Sequence, residues 1–247
     1  MKLQLLILSI GLLFACGDNA SGDVKKATQD RNNQNRYHID ETIQEKNQAN
    51  IVLKLRSTNE PITGVVYDDY ANGKTKEEFQ LYNGELHGAG RMWYENGSLK
   101  SLDNWKNGML NGHCKSWYRN GELKIEASWK DGEPEGLQRE WYDNGTLKIE
   151  GYIKDGQPFK NQREWYSNGR MKIEMNFKNG KRDGLMSLWH ENGQLKAKGQ
   201  FQDDKAVGKH LFWYENGQLR EESILDNDKP ISITCWDEDG NKIDCIK

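Results

Sequence analysis

The sequence predicts an all-β protein, an elongated antiparallel meander of tandem β-hairpins that repeat every 24 residues. Three observations support this fold class. Aromatic pairs recur with that period, Asn-Gly or Asp-Gly turns occupy two fixed places in each repeat, and the strands between them alternate apolar and polar residues. A repeat of this length is typical of arrays of small stacking units rather than of an enzyme core with one pocket.

The first turn of each repeat follows the aromatic pair. Its clearest copy runs from Trp93 to Lys100 and has the sequence WYENGSLK. A three-residue loop at Glu95-Asn96-Gly97 places Trp93 opposite Leu99, whereas a two-residue loop places Tyr94 there. We favour the three-residue loop because it gathers the Trp, Leu and Ile positions on one apolar face. The pair recurs as Trp117-Tyr118, Trp141-Tyr142, Trp165-Tyr166, Trp189-His190 and Trp213-Tyr214.

The second turn comes eleven residues after the first, as in Lys106-Asn107-Gly108. Asn and Gly tolerate positive φ at little cost, so both turns indicate hairpins. A further glycine precedes most aromatic strands and predicts a bulge there. Lys160 and Ser232 interrupt this series, so we expect a local irregularity near Lys160. The glycines of the series are Gly64, Gly88, Gly112, Gly136, Gly184 and Gly208.

The N-terminus has the features of an export sequence. Residues 1–15 contain a basic start and an apolar stretch too short to span a bilayer, which predicts a signal peptide. The stretch ends in LFAC, which resembles a bacterial lipobox and implies lipidation of Cys16. The alternative is an ordinary secretory signal with an incidental cysteine. Because Gly17 follows the cysteine, and not Asp, the outer membrane is favoured over the inner one in a cell with two membranes.

Residues 16–50 comprise the lipidated cysteine and a polar stretch with few large apolar residues, which predicts a flexible tether. Thr42 to Ala49 is a candidate for a transient helix within it. Residues 51–247 form the repeat domain. The net charge of −3 comes from interleaved charges of both signs, so we expect no nucleic-acid partner.

The repeat pattern as a whole is similar to the variant MORN repeat of bacterial proteins. The aromatic-Tyr-x-Asn-Gly-x-Leu-Lys segment and the second Asn-Gly turn carry the resemblance over about residues 61–247. It implies a β-hairpin array used for contacts with proteins or membrane surfaces. Many such proteins are described as antitoxin components, which in an exported protein implies immunity against a toxin met in the envelope.

Few residues point to chemistry. The histidines have no paired-ligand spacing and are expected to be exposed substitutions, so we predict no metal, no cofactor and no catalytic site. Cys235 and Cys245 flank the last turn. In a loop of Asp239 to Asn241 they face each other within disulfide reach, the alternative being two free thiols. Cys114 is expected to be a semi-buried residue.

The tyrosines of the aromatic pairs are the candidate binding face. Such a row suits stacking on a polysaccharide or docking of a peptide. The alternative, which we favour, is that these rings and the lysine stems simply cover the second face of the sheet. The row consists of Tyr70, Tyr94, Tyr118, Tyr142, Tyr166 and Tyr214.

The sequence therefore predicts a non-enzymatic repeat scaffold, exported and lipid-anchored to the cell envelope. Its expected role is protein–protein interaction, including an immunity or antitoxin-like role. The alternative is a module that binds a glycan of the cell wall or capsule through the tyrosine row. An unrecognised enzyme site near Lys160 is the weakest of the three hypotheses.

Overall fold

The computed structural model describes residues 35–46 and 51–245. Within these ranges the protein consists of β-strands and turns, with one 3-10 helical turn at Ile39–Glu41. The all-β class and the meander of hairpin repeats are confirmed. No helix in these ranges is long and apolar enough to cross a membrane. The described residues fall into two compact units, one ending at Gly145 and one starting at Thr146.

The N-terminal unit contains a mixed sheet and a separate two-stranded hairpin. The first strand of the sheet is parallel to its neighbour, and all the other pairings are antiparallel between strands close in the chain. The strands of this unit are β1 (Arg36–His38), β2 (Thr42–Lys46), β3 (Ile51–Leu55), β4 (Gly64–Asp69), β5 (Thr75–Tyr82), β6 (Glu85–Trp93), β7 (Leu99–Lys106), β8 (Met109–Leu110), β9 (Gly112–Trp117), β10 (Leu123–Lys130) and β11 (Glu133–Trp141).

The C-terminal unit is a plain antiparallel meander, in which each strand pairs with the next one in the chain. Its strands are β12 (Leu147–Lys154), β13 (Gln157–Trp165), β14 (Met171–Lys178), β15 (Lys181–Trp189), β16 (Leu195–Gln202), β17 (Lys205–Trp213), β18 (Leu219–Asp226), β19 (Lys229–Trp236) and β20 (Lys242–Ile243).

The folded chain begins earlier than its composition predicts. Strand β1 pairs with β4, and β2 pairs with β3, so the flexible tether predicted up to residue 50 and the transient helix from Thr42 are wrong for the described residues. The reason is local: Tyr37 and Ile39 pack against a buried cluster that includes Ile62 and Val66. These few apolar residues cap the first repeat, although the segment around them is polar on average.

Each first turn is a three-residue loop with glycine in the left-handed conformation. At Glu95-Asn96-Gly97, the φ of Gly97 is 92°, and the Gly97 N–H donates to the Tyr94 carbonyl over 2.8 Å. Trp93 is paired with Leu99, so the predicted turn register is confirmed.

An extra residue after each turn changes which face the rest of the strand presents. Leu123 pairs with Trp117, whereas Ile125 pairs with the adjacent Ser116, so Lys124 is a bulge. Because successive strand residues point to opposite faces, Trp117 and Leu123 lie on one face and Ile125 on the other. The single Trp-Leu-Ile face predicted from the sequence is therefore wrong, since the alternation was followed through a bulge that reverses it.

The two faces of the sheet differ in chemistry. The core face of the N-terminal unit holds the buried cluster of Cys114, Ala127 and Trp129, against which Ile125 packs. The opposite face, here called the ion-pair face, presents charged residues from neighbouring strands. In this unit they include Lys115, Glu126 and Arg139.

Each second turn is a two-residue loop in which both residues have positive φ. Asn107 has a φ of 51° and Gly108 of 77°, between the paired residues Lys106 and Met109. None of the first-turn asparagines has positive φ within the described ranges. Tolerance of positive φ therefore explains asparagine only at the second turns, and the first-turn asparagines need another explanation.

The glycine series marks left-handed residues at the start of the aromatic strands. Gly112 and Gly184 have φ of 109° and 114°, and Lys160 adopts the same hand with a φ of 63°. Lys160 remains paired with Phe177. The register shift opposite it on β12 also occurs in the hairpins that have glycine at this position, so the predicted exceptional irregularity is wrong. Ser232 does not have positive φ. In this last repeat the Tyr214 hydroxyl donates to the Trp236 carbonyl, 22 residues further on, whereas the equivalent bond from Tyr94 reaches Trp117, 23 residues further on.

Candidate functional site

The tyrosine row predicted as a binding face holds successive repeats together. The Tyr94 hydroxyl donates to the Trp117 carbonyl over 2.8 Å, one repeat further along the chain. Tyr142 also has an interaction partner. Because these hydroxyls are hydrogen-bonded to the next repeat and the rings are half-buried, the tyrosine row has a structural role in the array. The other bonds of this kind are Tyr70 to Trp93 (2.7 Å), Tyr118 to Trp141 (2.7 Å), Tyr166 to Trp189 (2.8 Å) and Tyr214 to Trp236 (2.9 Å).

His190 takes the place of tyrosine in this row. Its Nε2 lies 3.1 Å from the Trp213 carbonyl, the position that the tyrosine hydroxyl occupies elsewhere. The residue is 9 % exposed, so the prediction that it is an exposed substitution is wrong. An imidazole N–H supplies the same donor as a phenol, which the repeat sequence alone does not reveal.

The first-turn asparagines form a second row, which sequence reasoning missed. The Oδ1 of Asn120 accepts the Glu122 N–H over 3.1 Å, and its Nδ2 donates to the Asp143 carbonyl over 2.7 Å. Asn192 and Asn216 make the same pair of contacts in the C-terminal unit. Asparagine is needed because one side chain both closes its own turn and binds the next turn. The recurrence of Asn without positive φ was the available clue.

A third row joins the second turns. The Gly108 N–H donates to the Leu86 carbonyl over 2.9 Å, and the Gly180 N–H to the Pro158 carbonyl over 3.2 Å. Where aspartate replaces the turn glycine, its carboxylate adds a contact: Asp228 Oδ1 accepts the Ala206 N–H over 2.8 Å. The polar groups of these recurring positions therefore form hydrogen bonds between repeats. Residues that differ from repeat to repeat are the better candidates for binding a partner.

The ion-pair face carries carboxylates and cations on neighbouring strands. Glu126 lies between Lys115 (3.1 Å) and Arg139 (3.5 Å) in the N-terminal unit. In the C-terminal unit, Arg163 lies between Glu174 (2.9 Å) and Glu150 (3.9 Å). Partly exposed pairs of this kind contribute at most about 1 kcal/mol each. Their main consequence is that neighbouring charges cancel on this face.

Two buried groups have strongly shifted pKa values. Burial raises the pKa of Asp103 to about 7, although a hydrogen bond from the Ser101 hydroxyl, 3.2 Å away, opposes the shift. Burial raises the pKa of Cys114 to about 12, and its side chain is 0 % exposed. Cys114 is therefore an inert core thiol, more deeply buried than the sequence predicts.

His210 and His113 make side-chain contacts within the sheet. His210, 5 % exposed, approaches the Gln200 carbonyl with Nε2 at 3.0 Å, and a Cβ at Gly199 would clash with its ring at 2.0 Å. It too was wrongly predicted to be exposed. His113 Nδ1 lies 3.0 Å from the Ser128 hydroxyl. Among the described residues no group of three or more His, Cys, Asp or Glu side chains could hold a metal ion.

The C-terminal cysteines are joined by a disulfide. The Cα atoms of Cys235 and Cys245 are 5.4 Å apart. The two residues are not directly opposite, since Cys235 pairs with Ile243. The three-residue loop is Glu238 to Gly240, one residue earlier than the expected Asp239 to Asn241, and the Asp237 N–H closes it on the Asn241 carbonyl over 2.9 Å. Cys16, the predicted lipid attachment site, lies outside the described residues.

A family model for the MORN repeat variant matches six segments of the chain. Each match covers most of one hairpin, including the aromatic pair and the first turn. Together they cover slightly more than half of the 247 residues. The chain belongs to the MORN repeat variant family. The matched segments are residues 86–107, 110–131, 134–155, 160–179, 182–203 and 206–227.

Membership in the MORN repeat variant family identifies the hairpins as repeat modules. MORN repeats are non-catalytic modules that commonly contact proteins or membranes. No curated protein matches the chain. The match at residues 160–179 is shorter than the others, because it omits the start of β13 and begins only at Lys160.

Proposed function

We propose that this MORN-variant protein is a non-enzymatic scaffold that mediates protein–protein interaction in the cell envelope. One observation carries the proposal: large exposed apolar side chains occupy positions where the repeats differ. Tyr82, Met109, Tyr152 and Leu185 are exposed. The positions of the first three are mostly polar in the other repeats, whereas the position of Leu185 is polar in about half of them. Aromatic side chains and Met are enriched in the cores of protein interfaces. Recurring residues that hold the sheet together, combined with exposed apolar residues that differ between repeats, suit recognition of one particular partner.

The anchor and location are part of the same proposal. Lipidation of Cys16 would tether the scaffold to a membrane, the outer one in a cell with two membranes, as Gly17 favours. The Cys235–Cys245 disulfide supports an exported location, because such bonds persist in oxidising compartments. An envelope toxin is the partner class that an immunity role would require.

A glycan-binding role is the alternative that the sequence left open. It needs the tyrosine row as a free stacking surface, whereas the Tyr118 hydroxyl is bound to the Trp141 carbonyl and the ring is half-buried. This geometry favours the protein scaffold over the glycan module.

The scaffold function is tested by cross-linking in the living cell. A photo-reactive residue at Met109 or Leu185 should capture one protein in stoichiometric amount, and the same residue at Lys196, which lies on an exposed polar surface, should not. Equal or absent capture at all three positions contradicts the proposal. Anchoring is tested separately, since Cys16→Ser should abolish fatty-acid labelling and release the protein from membranes.

A further inference from the structure

The hairpin of β12 and β13 departs from the repeat at two positions whose side chains meet. Lys160 stands where other repeats have glycine and keeps the left-handed φ, here 63°. Tyr152 stands where Asn104 and Asn176 donate to a backbone carbonyl of the neighbouring strand (2.9 and 3.1 Å). The Lys160 ammonium lies 5.5 Å from the centre of the Tyr152 ring.

The left-handed lysine has an energetic cost. A side chain in this conformation costs about 1–2 kcal/mol relative to glycine. Asp204 and Asp228, which also replace glycines at left-handed positions, accept backbone N–H groups in return. Lys160 has aromatic rings as its neighbours and is exposed, so its charge is displayed to solvent. Strained residues that display a functional group are candidates for binding sites.

A second ammonium completes the patch. Lys154 lies 5.6 Å and Lys160 5.4 Å from the centre of the Phe159 ring. Among the described residues, no carboxylate lies within ion-pair distance of either ammonium, in contrast to the compensated charges of the ion-pair face. Tyr152 is 41 % exposed beside them. The patch therefore combines two uncompensated positive charges with exposed aromatic surface in a chain of net charge −3.

We propose that Tyr152, Lys154, Phe159 and Lys160 form a docking site for an acidic polypeptide segment of a partner protein. Its carboxylates would neutralise the two ammoniums, and an apolar side chain between them would cover the Tyr152 ring. The local charge is opposite in sign to that of the chain as a whole, so an acidic partner is directed to this patch and repelled elsewhere.

The site is tested with full-length protein in detergent micelles and a fluorescent oligoglutamate peptide. Lys160→Asn combined with Lys154→Gln removes both charges, and Asn tolerates the left-handed backbone. Binding measured by anisotropy should weaken about tenfold or more, the loss expected for charge-assisted bonds. The control Lys196→Gln makes the same kind of charge change at an exposed position and should leave binding unchanged.

Three outcomes overturn the site: equal affinity of the double variant and the wild type, an equal loss with Lys196→Gln, or tighter binding of polygalacturonate than of oligoglutamate. An unchanged thermal midpoint of the double variant shows that lost binding is not lost folding. The inference rests on the proposed scaffold function. A partner captured from cells equally by wild type and double variant would overturn this site and leave that function standing.

Discussion

The Tyr94 hydroxyl donates to the Trp117 carbonyl over 2.8 Å, across 23 residues of chain. The same bond recurs along the array with other tyrosines, and with a histidine at position 190. One side-chain group thus fixes the spacing between successive hairpins.

Removal of this hydroxyl should destabilise the protein. In Tyr94→Phe the Trp117 carbonyl loses its donor, and we expect the free energy of unfolding to fall by about 1 kcal/mol. Urea unfolding followed by tryptophan fluorescence measures the change. Tyr82→Phe is the matched control, since Tyr82 is 64 % exposed and outside the row. Equal losses in both variants would show that the bond contributes nothing.

Stability should fall as pH rises towards neutrality because of Asp103. Its folded-state pKa of about 7 lies above the ordinary value of 3.8, so the folded state favours the protonated acid. Its contribution to stability is complete below the ordinary value and is lost as pH rises to about 7. Between pH 5 and pH 8 the free energy of unfolding should decrease by about 2 kcal/mol.

Asp103→Asn should remove this pH dependence. The amide is nearly isosteric with the protonated acid and does not ionise, so unfolding at the two pH values should give nearly equal free energies. Asp68 does not contribute to the change between pH 5 and pH 8. A hydrogen bond from Lys76 lowers its pKa, so its contribution to stability changes only at more acidic pH. A slope that persists in Asp103→Asn would assign the dependence to another group.

The glycine before each aromatic strand should resist substitution for backbone reasons alone. Gly208 has a φ of 68°, and an added Cβ meets no heavy atom within 4 Å. Gly208→Ala should therefore lower stability by about 1–2 kcal/mol, and Gly208→Asn by less, because Asn tolerates this region. Thermal unfolding of both variants measures the order. If alanine proves as stable as glycine, the left-handed conformation carries no cost here.

Reduction of the disulfide should loosen the last hairpin and little else. Cys235 and Cys245 enclose a short loop next to β20, which pairs with β19 over only two residues. In Cys235→Ser/Cys245→Ser, the amides of Lys242 and Ile243 should exchange hydrogen much faster, while those of β14 keep their protection. Hydrogen exchange with mass spectrometry resolves these segments. A global rise in exchange would mean that the bond supports the whole unit.

Much of the fold was accessible from the sequence because it is encoded locally. The two turns, the strands and the register of Trp93 opposite Leu99 follow from short segments of chain. The bulge at Lys124 was missed because apolar alternation looks the same with or without one extra residue. The contacts of Tyr37 and Ile39 with the first repeat were missed, because the average composition of a polar segment does not reveal the packing of two apolar residues within it.

The candidate functional residues were also only partly predictable from the sequence. The tyrosine row was visible as a pattern, but whether its hydroxyls face solvent or a carbonyl depends on where the next hairpin lies. The patch at Lys160 was visible only as a break in the glycine series. Its meeting with Tyr152 needed the paired strands of the hairpin.

The all-β class, the repeat length and both kinds of turn follow from the amino-acid sequence, because φ preferences and strand periodicity act over a few residues. The face that each side chain takes, the polar groups used between repeats, and the burial of Asp103 and His210 follow only from the folded protein. These properties depend on stacking one hairpin on the next, and that contact joins residues about 23 positions apart in the chain.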